Sequence, residues 1–326
     1  MISVSKKLLS GKEHYADNIM NKITLVTGAD GLVGSAIKRL NLPNAVYLTH
    51  ADLDLTDFEE TKKTFAKIKP NRVIHTAAVV GGVGANLKHP GSYFRDNLLI
   101  NIHTLEAARL AGVEKLLSFI STCVFPNNAS YPLNEKDLHN GLPHDSNFGY
   151  AYAKRMMDVQ SRAYRKEWAC NFITAIGTNV YGPNDNFSLE NGHVLAALIH
   201  KCFLAKENNT DLSVWGSGQA LREFVFSDDI VKLALWALNN YNEESPIIFT
   251  SGIETSIKDV VHLVAKKMGF LGKIVFDATK PDGQLRKPSD SAKLQKYLPE
   301  FKFTSVADGL EQTIAWFVKN YPSIRK

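Results

Sequence analysis

The amino-acid sequence predicts an α/β protein: a doubly wound parallel sheet carrying a smaller, discontinuous α/β lobe. Three observations lead there. Apolar, β-rich runs alternate with helical patterns through the first half of the 326 residues, the rhythm of parallel strands joined by crossover helices. Those runs are almost continuously apolar, as strands covered on both faces are. After residue 184 the rhythm loosens, and a helix and a strand that suit the sheet return within 223–252. The length fits one large domain with a satellite.

The elements follow in order. "KITLVTGADGLVGSAIKRL" (22–40) is a strand, a Gly-rich turn and a helix. "AVYLTH" (45–50) is a second strand, and 57–69 has helical spacing with Phe58, Phe65 and Ile68 on one side. "RVIHTAA" (72–78) is a third strand, 92–112 a long helix stopped by glycine, and "KLLSFIS" (115–121) a fourth strand. A second long helix spans 150–168, and "NFITAIGTNVYGP" (171–183) is one strand ending in a turn. Residues 226–240 form a helix, and "PIIFTSG" (246–252) is a strand returning to the sheet. The expected division is a flexible extension over 1–21, the sheet domain over 22–184 and 223–252, and the lobe over 185–222 and 253–326.

Composition narrows the function. With 44% hydrophobic and 22% charged residues the chain is ordinary for a globular protein. The formal charge of +5 is spread along the chain, so no basic block points to nucleic acid, and an anionic small molecule fits the sign. Three widely spaced cysteines imply neither a disulfide framework nor a metal site, which favours a reducing compartment. No apolar run approaches the roughly 18 residues of a membrane span. The first 21 residues lack the apolar core of a secretion signal, so the expected location is cytoplasmic.

"TGADGLVG" sets Gly28, Gly31 and Gly34 at GxxGxxG spacing between a strand and a helix. Glycines permit a tight turn and close backbone approach, and the helix N-terminus presents N–H groups to a pyrophosphate. A dinucleotide site of Rossmann-like type is therefore expected. The second strand ends Leu48-Thr49-His50 without the carboxylate usual for NAD, which leaves room for a 2′-phosphate and favours NADP, with His50 assisting. Asp30, inside the loop, is unhelpful to phosphate and should point away.

"YAYAK" holds Tyr150 and Lys154 one helical turn apart, facing the same way. The ammonium can lower the phenol's pKa, and the phenol can protonate a carbonyl oxygen receiving hydride. Ser121, at the end of the fourth strand, can hydrogen-bond that oxygen. An isolated YxxxK would more simply be an amphipathic helix with Tyr150 in the core and Lys154 in solvent. The upstream loop and the strand-end serine favour the functional reading. This order of motifs resembles the extended short-chain dehydrogenase/reductase superfamily.

A simple reductase does not need Cys123. Beside Ser121 and Thr122, its thiol could exchange a proton on a carbon next to the carbonyl, its free pKa being near 8.5. It could equally be a small buried apolar residue. His193 opens the helix "HVLAALIHK", where the dipole disfavours its protonated form, so it could titrate near neutrality and pair with the thiol. It could also merely start a surface helix.

"STCVFP", "NFGYAYAKRMMDVQ", "TNVYGPNDNF", "GHVLAALIHK", "VWGSGQALREF" and "DGQLRK", in that order, are similar to the GDP-L-fucose synthase family over nearly everything from Lys22 onward. The resemblance implies NADP(H) as cofactor and GDP-4-keto-6-deoxy-D-mannose as substrate, inverted at C3 and C5 and then reduced at the C4 ketone to GDP-L-fucose. It implies catalytic roles for Ser121, Tyr150 and Lys154 in reduction and for Cys123 and His193 in epimerisation. Implied at the cofactor are Gly28, Gly31, Leu32, Val33, Gly34, His50, Asp54, Leu55, Ala77 and Ala78, with Tyr150, Lys154, Asn179 and His193. Implied at the substrate are Ser121, Thr122, Asn179, Lys201, Trp215, Arg222 and Lys287. Trp215 could stack on the ligand or, following a strand, belong to a core. The family's bacterial members tend to carry a basic residue where this chain has Asp30. By analogy, helices 92–112 and 150–168 pair into a homodimer through outer apolar residues such as Leu98, Ile102, Met157 and Tyr164. The competing readings are a 4-epimerase of sugar nucleotides holding NAD, which would not require Cys123 and His193, and a non-enzymatic cofactor-sensing protein, which would be expected to lose YxxxK.

Overall fold

Eleven strands and ten α-helices are found among the described residues, 22–280 and 284–326, of the computed structural model. The expected extension over 1–21 lies outside them. The strands are β1 (Thr24–Thr27), β2 (Ala45–Leu48), β3 (Arg72–His75), β4 (Lys115–Ser121), β5 (Phe172–Gly177), β6 (Asn179–Tyr181), β7 (Leu212–Trp215), β8 (Leu221–Phe226), β9 (Ile247–Phe249), β10 (Glu254–Ser256) and β11 (Ile274–Asp277). The helices are α1 (Leu32–Arg39), α2 (Phe58–Ile68), α3 (Val83–Lys88), α4 (Pro90–Leu110), α5 (Phe148–Trp168), α6 (Val194–Glu207), α7 (Ser227–Asn240), α8 (Ile257–Lys267), α9 (Ala292–Tyr297) and α10 (Val306–Asn320).

The main sheet runs β2-β1-β3-β4-β5-β9 and is parallel throughout. The chain leaves β1 to one side for β2 and returns to its other side for β3. That reversal opens a crevice at the carboxyl ends of β1 and β3, the place where such sheets bind ligands. Because side chains alternate along a strand, each strand feeds both faces. Val26, Ile74, Leu117 and Ala175 pack with Ile37 of α1 and Leu233 of α7. Leu25, Val73, Leu116 and Ile176 pack with Phe65 of α2, Leu105 of α4 and Met157 of α5. Each of these side chains larger than alanine, fully buried, stabilises by about 1.5–3 kcal/mol.

A third apolar cluster belongs to the later chain. It gathers Tyr181, Phe187, Ile199, Phe224, Val264, Leu310 and Phe317, with the Phe187 and Trp316 rings stacked at 5.9 Å. Two small sheets serve it, β10-β8-β6 and β11-β7.

Three expectations change. The run 171–183 is two strands in two sheets: β5 ends at Gly177 in the main sheet, and β6 pairs with β8 instead. Residues of α9 leave the later chain and pack on the main sheet, with Leu294 buried beside Tyr297 and Leu298. Met157 does not face outward but is fully buried against the sheet, and Tyr164 is half-buried, its hydroxyl donating to Glu106 at 2.8 Å. Ile102 does face outward, and the other exposed large apolar side chains of α4 and α5 are Phe94, Leu110, Phe148, Val159 and Trp168.

Candidate active site

A cavity of about 460 Å³ opens at the carboxyl ends of β1, β2 and β3. Its walls include Gly28, Asp30, Gly31, Thr49, His50, Asp54, Leu55, Ala77 and Ala78. The loop has no room for side chains. Gly28 takes φ +70°, and a Cβ there would stand 2.6 Å from Ala77 Cα; a Cβ on Gly34 would stand 2.1 Å from Gly28 O. The glycines therefore press α1 against the loop and aim its first N–H groups at the cavity. Leu32 and Gly34 turn inward and do not line the wall, nor does Val33, which packs against a core cluster. What these three offer a ligand is the backbone N–H of the first helical turn. Asp30 is among the residues that line the cavity, and its carbonyl accepts from Asn184 Nδ2 at 2.8 Å. The aspartates after β2 are held locally. Asp52 accepts from Thr49 N (2.9 Å) and Thr49 Oγ1 (2.7 Å), and Asp54 from Thr56 N (2.9 Å) and Thr56 Oγ1 (2.7 Å). The missing carboxylate at the strand end, the glycine cradle and the cavity together fit a dinucleotide with a 2′-phosphate.

The fourth strand delivers the candidate reacting groups. The β4–β5 ladder holds Ser121 opposite Gly177, and a single 3₁₀ turn, Thr122–Val124, carries the chain past Cys123. Ser121 Oγ and Cys123 Sγ lie 2.8 Å apart, within hydrogen-bond distance. Tyr150 comes from the first turn of α5 and hydrogen-bonds Ser121. Lys154, one turn on, is buried rather than solvent-facing. Its Nζ donates to Phe119 O at 3.3 Å and lies 5.9 Å from the Tyr150 ring. Buried Asn101 of α4 steadies this region by donating to Ala153 O at 3.1 Å, while its Oδ1 lies 3.2 Å from His75 Nε2. Burial drives the His75 pKa down to about 3, so that imidazole is neutral and structural.

Burial dominates the titrations here. It pushes the Tyr150 phenol far up, which keeps it a proton donor, and pulls Lys154 down to about 8. It raises the Cys123 thiol above the free value assumed from sequence. The Ser121 hydrogen bond and the charges of Lys287 and Lys154 pull it back only in part. Lys287 is lowered by burial and by Arg222 and raised by Cys123, so this sequence-distant lysine lies near enough for its charge to bear on the thiol.

His193 stands elsewhere in the chain's arrangement. It caps α6, its Nδ1 2.9 Å from Oδ1 of the fully buried Asp185. The helix dipole was expected to keep it neutral. The carboxylate outweighs both dipole and burial and raises its pKa. A full charge at hydrogen-bond distance exceeds the half-charge of a helix end. No hydrogen bond joins His193 to Cys123 among the described residues.

The remaining expected substrate residues form a rim. Trp215, at the end of β7, is 61% exposed and so belongs to no core. Lys201 Nζ lies 4.8 Å and Lys280 Nζ 5.9 Å from its ring. Arg222 Nη1 donates to Leu221 O and Gln284 O, both at 2.7 Å. Asn179 Nδ2 donates to Glu223 O at 2.8 Å, and it does not line the cofactor cavity. Thr122 sits half-exposed at the thiol turn. Nothing in the sequence marks Lys280 or Arg155. Buried Arg155 donates to Val124 O (2.5 Å) and Gly141 O (2.6 Å), pinning the turn that holds Cys123. A DN pair after the "YGP" turn was the one legible hint of Asp185.

The NAD dependent epimerase/dehydratase family model matches residues 24–252, and the chain is 45% identical over 94% of its length to the GDP-L-fucose synthase of Dictyostelium discoideum, 98% of which it covers. The chain belongs to this family, among its GDP-L-fucose synthases. It is 34% identical over 92% of its length to the GDP-L-fucose synthase of Escherichia coli K12, covering 98% of that protein. A crystal structure of a GDP-L-fucose synthetase from Naegleria fowleri bound to NADP matches at a TM-score of 0.90 and 40% identity. That match covers 94% of this chain and 96% of that one. The family's Rossmann-like fold and NADP chemistry accord with the sheet and the cavity. No described helix is long and apolar enough to cross a membrane. No group of three or more His, Cys, Asp or Glu able to hold a metal ion occurs among the described residues.

Proposed function

We propose that the chain converts GDP-4-keto-6-deoxy-D-mannose to GDP-L-fucose by inversion at C3 and C5 and NADPH-dependent reduction at C4. The observation that carries this is the joining of Ser121, Tyr150 and Lys154 with a thiol, Cys123, at one strand end beside the cofactor cavity. Bound NADPH supplies the hydride. The first-turn N–H groups of α1 and the loop from Gly28 to Gly31 hold its phosphates, and Ala77, Ala78, Asp54 and Leu55 line its bed.

Inversion begins with a proton leaving a carbon beside the ketone. Ser121 and Tyr150 hydrogen-bond the ketone oxygen and stabilise the enolate that forms. Cys123 serves one face of the sugar, with Lys154 and Lys287 favouring its thiolate. His193, kept chargeable by Asp185, serves the other. Reduction ends with Tyr150 giving its proton to the C4 oxygen. Lys201, Arg222 and Lys287 meet the diphosphate, and Trp215 offers its exposed face to the base.

In this reading 22–184 with 223–252 hold the cofactor, while 185–222 with 253–326, α9 apart, hold the nucleotide sugar. The homodimer through α4 and α5 draws support from their exposed Phe94, Ile102, Leu110, Phe148, Val159 and Trp168. Light scattering tests it. A cytoplasmic setting accords with three free cysteines. The decisive test is NADPH oxidation with the keto sugar nucleotide, with the product's stereochemistry read by NMR. Turnover to the unepimerised sugar, or none, overturns the assignment.

A further inference from the structure

A dinucleotide with three phosphates would enter a cavity whose described walls carry the carboxylates Asp30, Asp54 and Asp96. Asp96 is neutralised by Arg95, whose Nε lies 2.7 Å from its Oδ1, while Asp30 has no such partner among the described residues. Among the described lining residues one Lys or Arg is present, Arg325, the second-last residue of the chain.

The C-terminal segment is anchored to put it there. Ile324 is buried in the lobe's apolar cluster. Phe187 N donates to Arg325 O at 2.9 Å, while Lys326 Nζ lies 5.6 Å from the Tyr321 ring. Three residues before Phe187, Asn184 Nδ2 bonds Asp30 O in the Gly-rich loop. Three residues span at most about 10 Å, so the Arg325 backbone is tied close to that loop. Its positive charge also bears on His193, which is bonded to Asp185, the neighbour of Asn184. No described group forms an ion pair with its guanidinium.

We propose that Arg325 is a pyrophosphate-binding residue of the cofactor site, carried across from the second lobe by the C-terminal segment. It supplies the cation that the loop, with Asp30, does not. A guanidinium fork suits two phosphate oxygens, and the α1 N-terminus adds N–H donors to the same group. The inference rests on the NADP(H) reading of the cavity.

The test is titration calorimetry without sugar nucleotide, comparing the intact chain with Arg325→Ala and Arg325→Lys. Arg325→Ala is expected to weaken NADPH and NADH alike, each about tenfold, or about 1.4 kcal/mol. Binding of adenosine 2′-monophosphate, which lacks the pyrophosphate, should be unchanged. Arg325→Lys should recover part of the loss. The anchoring bond uses the Arg325 carbonyl and survives both changes, so melting temperatures should match the unaltered chain. Unchanged NADPH affinity overturns the proposal. So does a loss confined to NADPH and the 2′-monophosphate, which would put the arginine on the 2′-phosphate. Failure of the unaltered chain to bind NADPH would instead overturn the cofactor reading itself.

Discussion

Arg155→Met should loosen the Cys123 thiol while leaving the cofactor bed intact. The guanidinium bridges Val124 O and Gly141 O, carbonyls 17 residues apart in sequence, from a fully enclosed position on α5. Methionine keeps the stem and loses both bonds. A hydrogen bond from a charged donor contributes about 1.5–3 kcal/mol. Against that loss stands the burial that already lowers the arginine's pKa, and Nη2 has no partner among the described residues. The net cost is about 2–3 kcal/mol. Unfolding entropy near 2.1 cal/mol/K per residue gives about 0.7 kcal/mol/K for this chain, so the melting temperature should fall by about 3–4 °C. Ser121 is held by the β4–β5 ladder, whereas Cys123 hangs on a single turn. Solvent deuterium incorporation at C3 and C5 should therefore drop by up to about 100-fold, the effect of displacing a reacting group by about 1 Å. NADPH affinity should not change. Calorimetry and NMR of the exchanged sugar check both numbers. An unchanged melting temperature together with unchanged deuterium incorporation would refute the pinning role.

Three further outcomes are expected. Cys123→Ser should abolish deuterium incorporation at C3 or C5 and leave NADPH binding intact; unchanged product stereochemistry would sink the thiol's role. Asp185→Asn removes the charge that raises His193. A raised histidine pKa stabilises fully below its unfolded value, about 6.5, and that contribution fades as pH rises through the folded value. The stability gap between variant and unaltered chain should thus be widest below about pH 6.5 and narrow above it, and the alkaline limb of epimerisation should move to lower pH. A gap independent of pH would contradict this. Lys154 loses its proton as pH rises through about 8, so kcat/KM for reduction should decline above that pH. Lys154→Arg should push the limb upward whatever it does to the maximum rate.

Much of the fold and the reducing centre was legible because their signals are local. A glycine turn between strand and helix, a serine ending an apolar run and a tyrosine one helical turn before a lysine each declare themselves within a few residues. What was missed depends on meetings across the chain. Arg155 gave no hint that it would serve the turn at Val124. Asp185 could be seen but not its burial, and burial is what lets its charge overrule the helix end at His193. The run 171–183 looked like one strand because its apolar character continues through Gly177 and Thr178. Only the competing partner, β8, shows that the chain changes sheets there. Met157 looked like an outer residue because helical spacing alone does not say which apolar stripe meets the sheet.

Residues 184–187 make three attachments within four positions. Asn184 grips the glycine loop, Asp185 grips His193, and Phe187 lies in the lobe's aromatic cluster. The glycine loop, the histidine and the wall of the second lobe are thus tied to one another through four residues. Linkage makes any coupling between ligands mutual: by whatever factor cofactor tightens sugar nucleotide, sugar nucleotide tightens cofactor. Any such coupling would run through this one short span, and loosening Asn184 would weaken it.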